Sequence, residues 1–544
     1  MKMEFREARS APFAPQRILL GFLVFSAVAV LVSQWLGLVW RNTPVILAIS
    51  IALTWLCLRL FPVEWKEFRI PKSVWLLAIL VFIMASYPLL TITPFYAPSA
   101  DALHSITLRV LEGKIPATYA PYSDFGFHYQ FGFHLFARLF ADLLPFVPDY
   151  LVLWFLGALF AGIQAIVFFW LGKKFLKSES AGFWCALLFV GTRLVFQNMY
   201  FGLYPMIFGT ALFLLAVTLF LERNPLWAIL FASVLAIHAG SAFNMVLFFA
   251  FLLVFFAREH AAFFAKWIWL ALLALPSLII VYPSLVSRPF AAAAATSLFG
   301  FLEATLYVFP LWVGAIPMLF FLIAIFISWR EKSFFREKSF AIALMIISFG
   351  LFFYFAFTGS QLFGKIVELM SFAAILFAAS TLCQKRRPLL ETRFARIAII
   401  ALCLAFFLSS GYLNSLRSGD KLSIGEAKFA FAFKNFDSSP QKTLFLSERG
   451  GKIAEYANKA PYDAMQGYFL PYGPNQIEDG NDYAMLVSRR NEQEKILAES
   501  CSECVYDLNV RYVVLDTNFT SLRLNEKSVL ATGNFILYDL GAKK

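Results

Sequence analysis

Residues 149–177 read DYLVLWFLGALFAGIQAIVFFWLGKKFLK. Between Asp149 and Lys173 no side chain is charged. A helix rises about 1.5 Å per residue, so a run of this length crosses the ~30 Å hydrocarbon layer of a bilayer. Lys173, Lys174 and Lys177 close the run, and clustered lysines beside a span mark its cytoplasmic end. The same grammar recurs along the chain. Spans are expected at 18–40, 45–61, 74–94, 149–171, 180–200, 205–221, 226–241, 243–257, 267–286, 306–328, 339–357, 362–382 and 395–412.

Composition agrees with this reading. The chain is 60% hydrophobic and 15% charged, whereas soluble domains are about 45–50% apolar. The net charge is +12, but it is unevenly spread. Residues 413–544 hold 16 Lys+Arg against 17 Asp+Glu, and the residues before them hold 30 against 17. The excess sits in short loops, notably around Lys66/Arg69/Lys72, Arg223, Arg258/Lys266, Arg330–Lys338 and Lys385–Arg396. Alternate loops carry it, which is a topology signal and not a nucleic-acid surface. The N-terminus, with Lys2, Arg6, Arg9 and Arg17, is expected in the cytoplasm. The first run, 18–40, is too long for the apolar core of a signal peptide and reads as a retained anchor.

The expected fold is therefore a polytopic all-α membrane protein with about 13 transmembrane helices over 1–412. A small extracytoplasmic α/β domain follows over 413–544. Strand-like runs at 443–446, 511–516 and 535–539 alternate there with helical stretches near 424–434 and 482–498. The expected setting is a cytoplasmic (inner) membrane, with the C-terminal domain outside.

The first large outer loop, 95–148, carries the densest chemistry. Asp101 precedes a stretch with apolar residues at helical spacing, Leu103, Ile106 and Val110. A carboxylate at a membrane surface suits a general base, and Asp is also a favoured helix cap. Three of the five His residues, His104, His128 and His134, lie in this loop with Asp124. His104, Asp124 and His128 are candidates for a divalent metal ion or for acid–base work, although their spacing matches no closed zinc pattern. The helices near 101–111 and 127–144 are expected in or dipping into the outer interface.

Elsewhere, outer-side cations suit a phosphate: Arg109, Lys114, Arg138, Arg288 and Lys365, with Arg193 inside a span. Arg193, Arg288 and Lys365 are the preferred three. Tyr204, His238 and Glu368, with Asn198 and Asn244 nearby, are candidate cavity-lining residues. Lys365 and Glu368 stand at i, i+3 and are expected to pair. Cys501 and Cys504 form a lone CxxC, which suits a disulfide in an oxidising compartment.

The loop beginning at Asp101, with Gly113-Lys114-Ile115-Pro116 and His128-Tyr129-Gln130-Phe131-Gly132-Phe133-His134, resembles the GT-C superfamily of membrane glycosyltransferases. It looks like the loops of protein mannosyltransferases and lipid A aminoarabinose transferases. Gly172-Lys173-Lys174-Phe175, Gly364 to Phe372 and Arg511-Tyr512-Val513-Val514-Leu515 extend the similarity. The resemblance implies a bundle with an outward-facing cavity and a sugar donor carried on polyprenyl phosphate. It also implies that Asp101 is the base that activates a glycan, lipid or protein acceptor. The chain departs from relatives in having Ala102 after Asp101, two extra leading spans, and lysine at 365 where arginine is common. With no second nucleophilic carboxylate in evidence, inversion at the sugar is expected. A transporter or flippase of lipid-linked glycans, a lipid-linked glycan ligase or polymerase, and a scaffold are the competing readings. A flippase predicts matched, broken spans in two halves, and the sequence has none.

Overall fold

The computed structural model describes residues 15–91, 101–122, 130–200, 202–282, 314–330, 335–357, 362–383, 393–415, 422–447, 450–462 and 480–541. The helices run α1 (Pro15–Gly37), α2 (Thr43–Leu60), α3 (Lys72–Thr91), α4 (Asp101–Val110), α5 (Gly132–Leu143), α6 (Asp149–Phe175), α7 (Glu179–Val190), α8 (Leu194–Tyr200), α9 (Tyr204–Leu221), α10 (Leu226–Ile237), α11 (Ala239–Trp267) and α12 (Leu275–Ile280). Further apolar helices span Ala315–Arg330, Arg336–Phe357, Leu362–Leu382 and Arg393–Ser415. Among the described residues, seven helices are long and apolar enough to cross a membrane, and five shorter apolar helices accompany them. The chain is a polytopic helical membrane protein, and its apolar helix faces contact membrane lipid.

Nearly every residue of α6 from Val152 to Gly172 is buried, and α6 packs against α3, α7 and α9. Its near-complete burial explains its uniform apolarity, and the partly exposed stripe at Leu151, Phe155 and Leu159 is apolar as well, as suits a face towards lipid. Charged pairs gather at one end of the bundle. Lys174 meets Glu222 at 2.5 Å, Arg336 meets Glu259 at 2.7 Å, and Lys173 lies 3.8 Å from Glu67. Arg223 donates to the Glu259 carbonyl at 2.8 Å. Several loops picked out by their positive charge thus converge on a single end.

Several expected spans differ from the structure, the one at 226–241 ending already at Ile237. Residues 180–200 are split at Gly191-Thr192-Arg193 into α7 and α8. The spans expected at 243–257 and from 267 onward are joined in one bent helical run, Ala239–Ile280, and 283–286 lie outside the described residues. The run leaves helical geometry at Phe256 (φ −126°, ψ 25°) and passes through a 3-10 segment, Ile268–Ala274. Glu259 lies at the charged end, while Gln34 donates to the Leu273 carbonyl at 2.7 Å and accepts from Ser277 at 2.8 Å. The run therefore travels to one end and returns.

The loop helices α4 and α5 do not lie flat on an interface. Both enter the bundle, with His104–Leu108 and Gly132–Ala137 buried. Their charges are neutralised where they emerge: Arg109 by Asp149 at 2.8 Å, Arg138 by Asp142 at 2.7 Å and Glu112 at 2.9 Å. Arg41 adds a 2.8 Å contact to Asp142. Pairing offsets part of the cost of bringing those groups towards the apolar core.

The C-terminal domain is a five-stranded sheet ordered β2-β1-β3-β5-β4, with β1 Lys442–Leu446, β2 Ala460–Pro461, β3 Tyr512–Asp516, β4 Ser528–Thr532 and β5 Phe535–Asp539. β2, β1 and β3 are parallel, and β5 and β4 complete the sheet in antiparallel pairs. Alternate residues of β3 face opposite sides. Tyr512 and Val514 pack with Phe429, Phe433 and Ile453 on one face, and Val513 and Leu515 with Ile496 and Val505 on the other. A parallel core covered on both faces explains the unbroken apolar runs at β1 and β3. The Gly450–Ala457 helix packs against α4. Tyr456 stacks near Tyr150 at 4.9 Å, and the Tyr122 hydroxyl donates to Asn458 at 2.8 Å.

Candidate functional site

α4 opens at Asp101, and His104 follows one turn later on the same helix face. His104 fixes the helix. Its Nε2 lies 2.5 Å from the Gly202 carbonyl oxygen, and its Nδ1 lies 2.9 Å from His134 Nε2. A carbonyl only accepts, so His104 carries its proton on Nε2 and His134 Nε2 donates to Nδ1. Burial holds His104 at a pKa of about 4, with the charge of Lys365 acting in the same direction. Burial also holds His134 well below the usual imidazole range. Both rings are neutral at pH 7, as this proton order requires.

Gly202 makes the Nε2 contact available. It lies at φ +63°, where α8 ends with Gly202 N–H bonded to Met199 and Leu203 N–H bonded to Asn198. That left-handed closing turn suits glycine.

Beside this pair stands the Leu362–Leu382 helix. Glu368 is 1% exposed. Its carboxylate accepts from Thr210 at 2.9 Å and from Asn244 at 3.4 Å, and Asn198 adds a further side-chain hydrogen bond. Asn244 also donates to the Lys365 carbonyl at 2.9 Å. The expected Lys365–Glu368 ion pair does not form. The Glu368 oxygens are occupied by uncharged donors, and among the described residues the Lys365 ammonium has no hydrogen-bond or ion-pair partner. Lys365 remains partly exposed while its neighbours Ile366 to Ser371 are buried.

His238 caps α11, its Nδ1 accepting from Ser241 N–H at 3.2 Å. A side chain at Gly240 would stand 2.8 Å from His238 and 3.1 Å from the Lys365 stem, so the two residues flank that backbone. The Lys365 charge acts on both His104 and His238. Tyr204 is fully buried, with its ring 5.6 Å from His104 and 6.3 Å from Trp154. It backs the histidine and does not line open space.

The structure thus brings His104, Tyr204, His238, Lys365 and Glu368 to one region of the bundle. Arg193 is half-buried in the break that precedes α8, the short helix that carries Asn198. The Asp101 side chain, Asp124, His128 and Arg288 lie outside the described residues. Both ring nitrogens of His104 are engaged, so His104 offers no lone pair to a metal ion, and no group of three potential ligands occurs among the described residues. Cys501 and Cys504 are joined by a disulfide. Thr210 escaped the sequence reading; a hydroxyl six residues into an apolar span was its only signal.

The cations expected on the outer side separate into two kinds. Arg109 and Arg138 are bound to carboxylates, whereas Lys365 is not. No protein-family model and no curated protein matches this chain.

Proposed function

We propose that this protein is a membrane glycosyltransferase that moves a sugar from a polyprenyl-phosphate donor to an acceptor hydroxyl on the extracytoplasmic side. The observation that carries the reading is Lys365: a cation among buried polar groups, without a partner among the described residues, beside the helix that Asp101 opens. Glu368 acts on this ammonium without touching it, and an ammonium with no contacting anion in such a setting suits a further one; a lipid phosphate is an anion that a membrane supplies. The positive loops gathered at the opposite end support an orientation with that end in the cytoplasm.

In this mechanism Asp101 accepts the proton of the acceptor hydroxyl. The acceptor oxygen forms a bond to the anomeric carbon as the bond from that carbon to the phosphate oxygen breaks. The electron pair leaves with the polyprenyl phosphate. Lys365 stabilises the charge that grows on the departing phosphate, the kind of contribution that dominates many rate enhancements. His104 and His134, both neutral, hold α4 in register and add no positive charge that would compete for the phosphate. Inversion at the sugar follows from a single displacement. No step is routed through a metal ion, because His104, the described member of the suggested ligand set, is fully engaged.

The test is transfer from a panel of radiolabelled polyprenyl-phosphate sugars by purified protein, beside Asp101→Asn. Transfer by the native chain and its loss in a folded variant are the expected results. Unchanged transfer by Asp101→Asn would remove the base, and no transfer from any donor would remove the reading.

A further inference from the structure

The C-terminal domain and the bundle enclose a cleft of about 460 Å³, distinct from the Lys365 region. Arg109, Glu112, Tyr122 and Asp149 contribute from the bundle side, and Lys434 and Asn458 from the domain. The volume lies within the range of small-ligand sites, about 300–1,000 Å³. Its walls are polar, which is unsuited to a lipid tail.

The charges in the cleft are mostly spoken for. Arg109 is bound to Asp149 at 2.8 Å, and Glu112 to Arg138 at 2.9 Å. The Tyr122 hydroxyl donates to Asn458 Oδ1 at 2.8 Å, and Asn458 Nδ2 donates to the Ser438 carbonyl at 2.7 Å. Lys434 is exposed, and among the described residues its ammonium has no hydrogen-bond or ion-pair partner. The walls therefore offer carboxylate and phenol oxygens that accept, and an ammonium that donates, with little net charge. A ligand whose groups each donate and accept fits that surface. Saccharide hydroxyls do so, whereas a polyanion would meet two carboxylates.

The cleft is also placed to matter. Arg109 sits at the far end of α4 from Asp101, eight residues along the helix, or about 12 Å at 1.5 Å per residue. An extended acceptor lying along α4 spans that distance.

We propose that this interdomain cleft is a saccharide subsite that holds the distal part of a neutral glycan acceptor while its reacting end lies at Asp101. The proposal rests on the transferase reading for its place in a reaction, but binding in the cleft can be measured without any donor.

The experiment is saturation-transfer NMR on the full-length protein in detergent with neutral oligosaccharides of three to four mannose, glucose or galactose units. It is repeated with Lys434→Glu and Tyr122→Phe, with thermal unfolding as the check on integrity. At least one oligosaccharide is expected to bind, with affinity about tenfold weaker in Lys434→Glu, the loss typical of a hydrogen bond to a charged group. Tyr122→Phe is expected to weaken it less. Binding to none of the probes, or equal binding by native protein and Lys434→Glu, overturns the subsite. If oligosaccharides bind and Lys434→Glu weakens them while no donor supports transfer, the subsite stands and the transferase reading falls. If transfer occurs but the acceptor KM is unmoved by Lys434→Glu, the subsite falls alone.

Discussion

The two ends of the bundle treat their charges differently. At one end Lys174 meets Glu222 and Arg336 meets Glu259 in direct contact, and the Arg223 guanidinium is capped by a carbonyl. At the other, Lys365 stands one helical turn from Glu368 and does not pair with it. The contacts at the first end join residues far apart in sequence, whereas Lys365 and Glu368 are near neighbours, so proximity in sequence does not decide pairing. The difference lies in competition, because Thr210, Asn244 and Asn198 already satisfy the Glu368 carboxylate. A pair that closes on itself contributes to structure alone, whereas Lys365 is kept out of contact with its nearest carboxylate.

The comparison is sharpened most by Asp101→Asn. If that end is the reactive one, transfer should fall by about 10²–10⁴-fold, the usual weight of general base catalysis, with the circular dichroism spectrum unchanged. Lys365→Ala should follow, costing on the order of 10²–10³-fold, as for removal of one electrostatic stabiliser. Lys365→Arg should recover part of the loss, which a purely structural lysine would not show. Retention of full activity by Lys365→Ala would erase the contrast between the two ends.

A pH titration of stability probes the same region through the histidine pair. His104 has an unfolded value near 6.5 and a folded value of about 4. Between these limits the unfolded chain binds more protons, so stability falls as pH falls. The melting temperature in detergent should therefore drop as pH is lowered from 6.5 towards 4. A His104→Asn/His134→Asn double variant should show a shallower decline, and an identical decline would remove these rings as its cause. The smallest effect is expected at the paired end. Lys174→Ala should change stability by about 0–1 kcal/mol, because partly exposed ion pairs contribute little, and should leave transfer unaltered.

How much of this was legible in the sequence follows the same divide. Uncharged runs bounded by lysines exposed the long apolar helices, and the apolar runs at β1, β3 and β5 exposed a small α/β domain. β4 was missed because Ser528 and Val529 are exposed and carry no alternating apolar signal. The break at Gly191-Thr192-Arg193 was hidden inside a hydrophobic run, and the turn at Phe256 is made by residues that would serve equally well in a straight helix. In the site, Asp101, His104 and Lys365 stood out as polar groups in an apolar setting. Their partners did not, since which donor reaches Glu368 is settled by packing between α8, α9, α11 and the Leu362–Leu382 helix. Helical spacing alone favoured a direct Lys365–Glu368 contact that does not form.

The contact of Tyr122 with Asn458 joins residues 336 positions apart. Chains emerge from the ribosome at about 5–20 residues per second, so the α4 segment is made many seconds before the domain that leans on it. Until β3 can pair with β1 and β5, the sheet that carries the Gly450–Ala457 helix against α4 is incomplete. Folding of the sheet domain is thus coupled to the support of α4, and a product truncated before that domain would present its helices without the contacts that α4 receives from it.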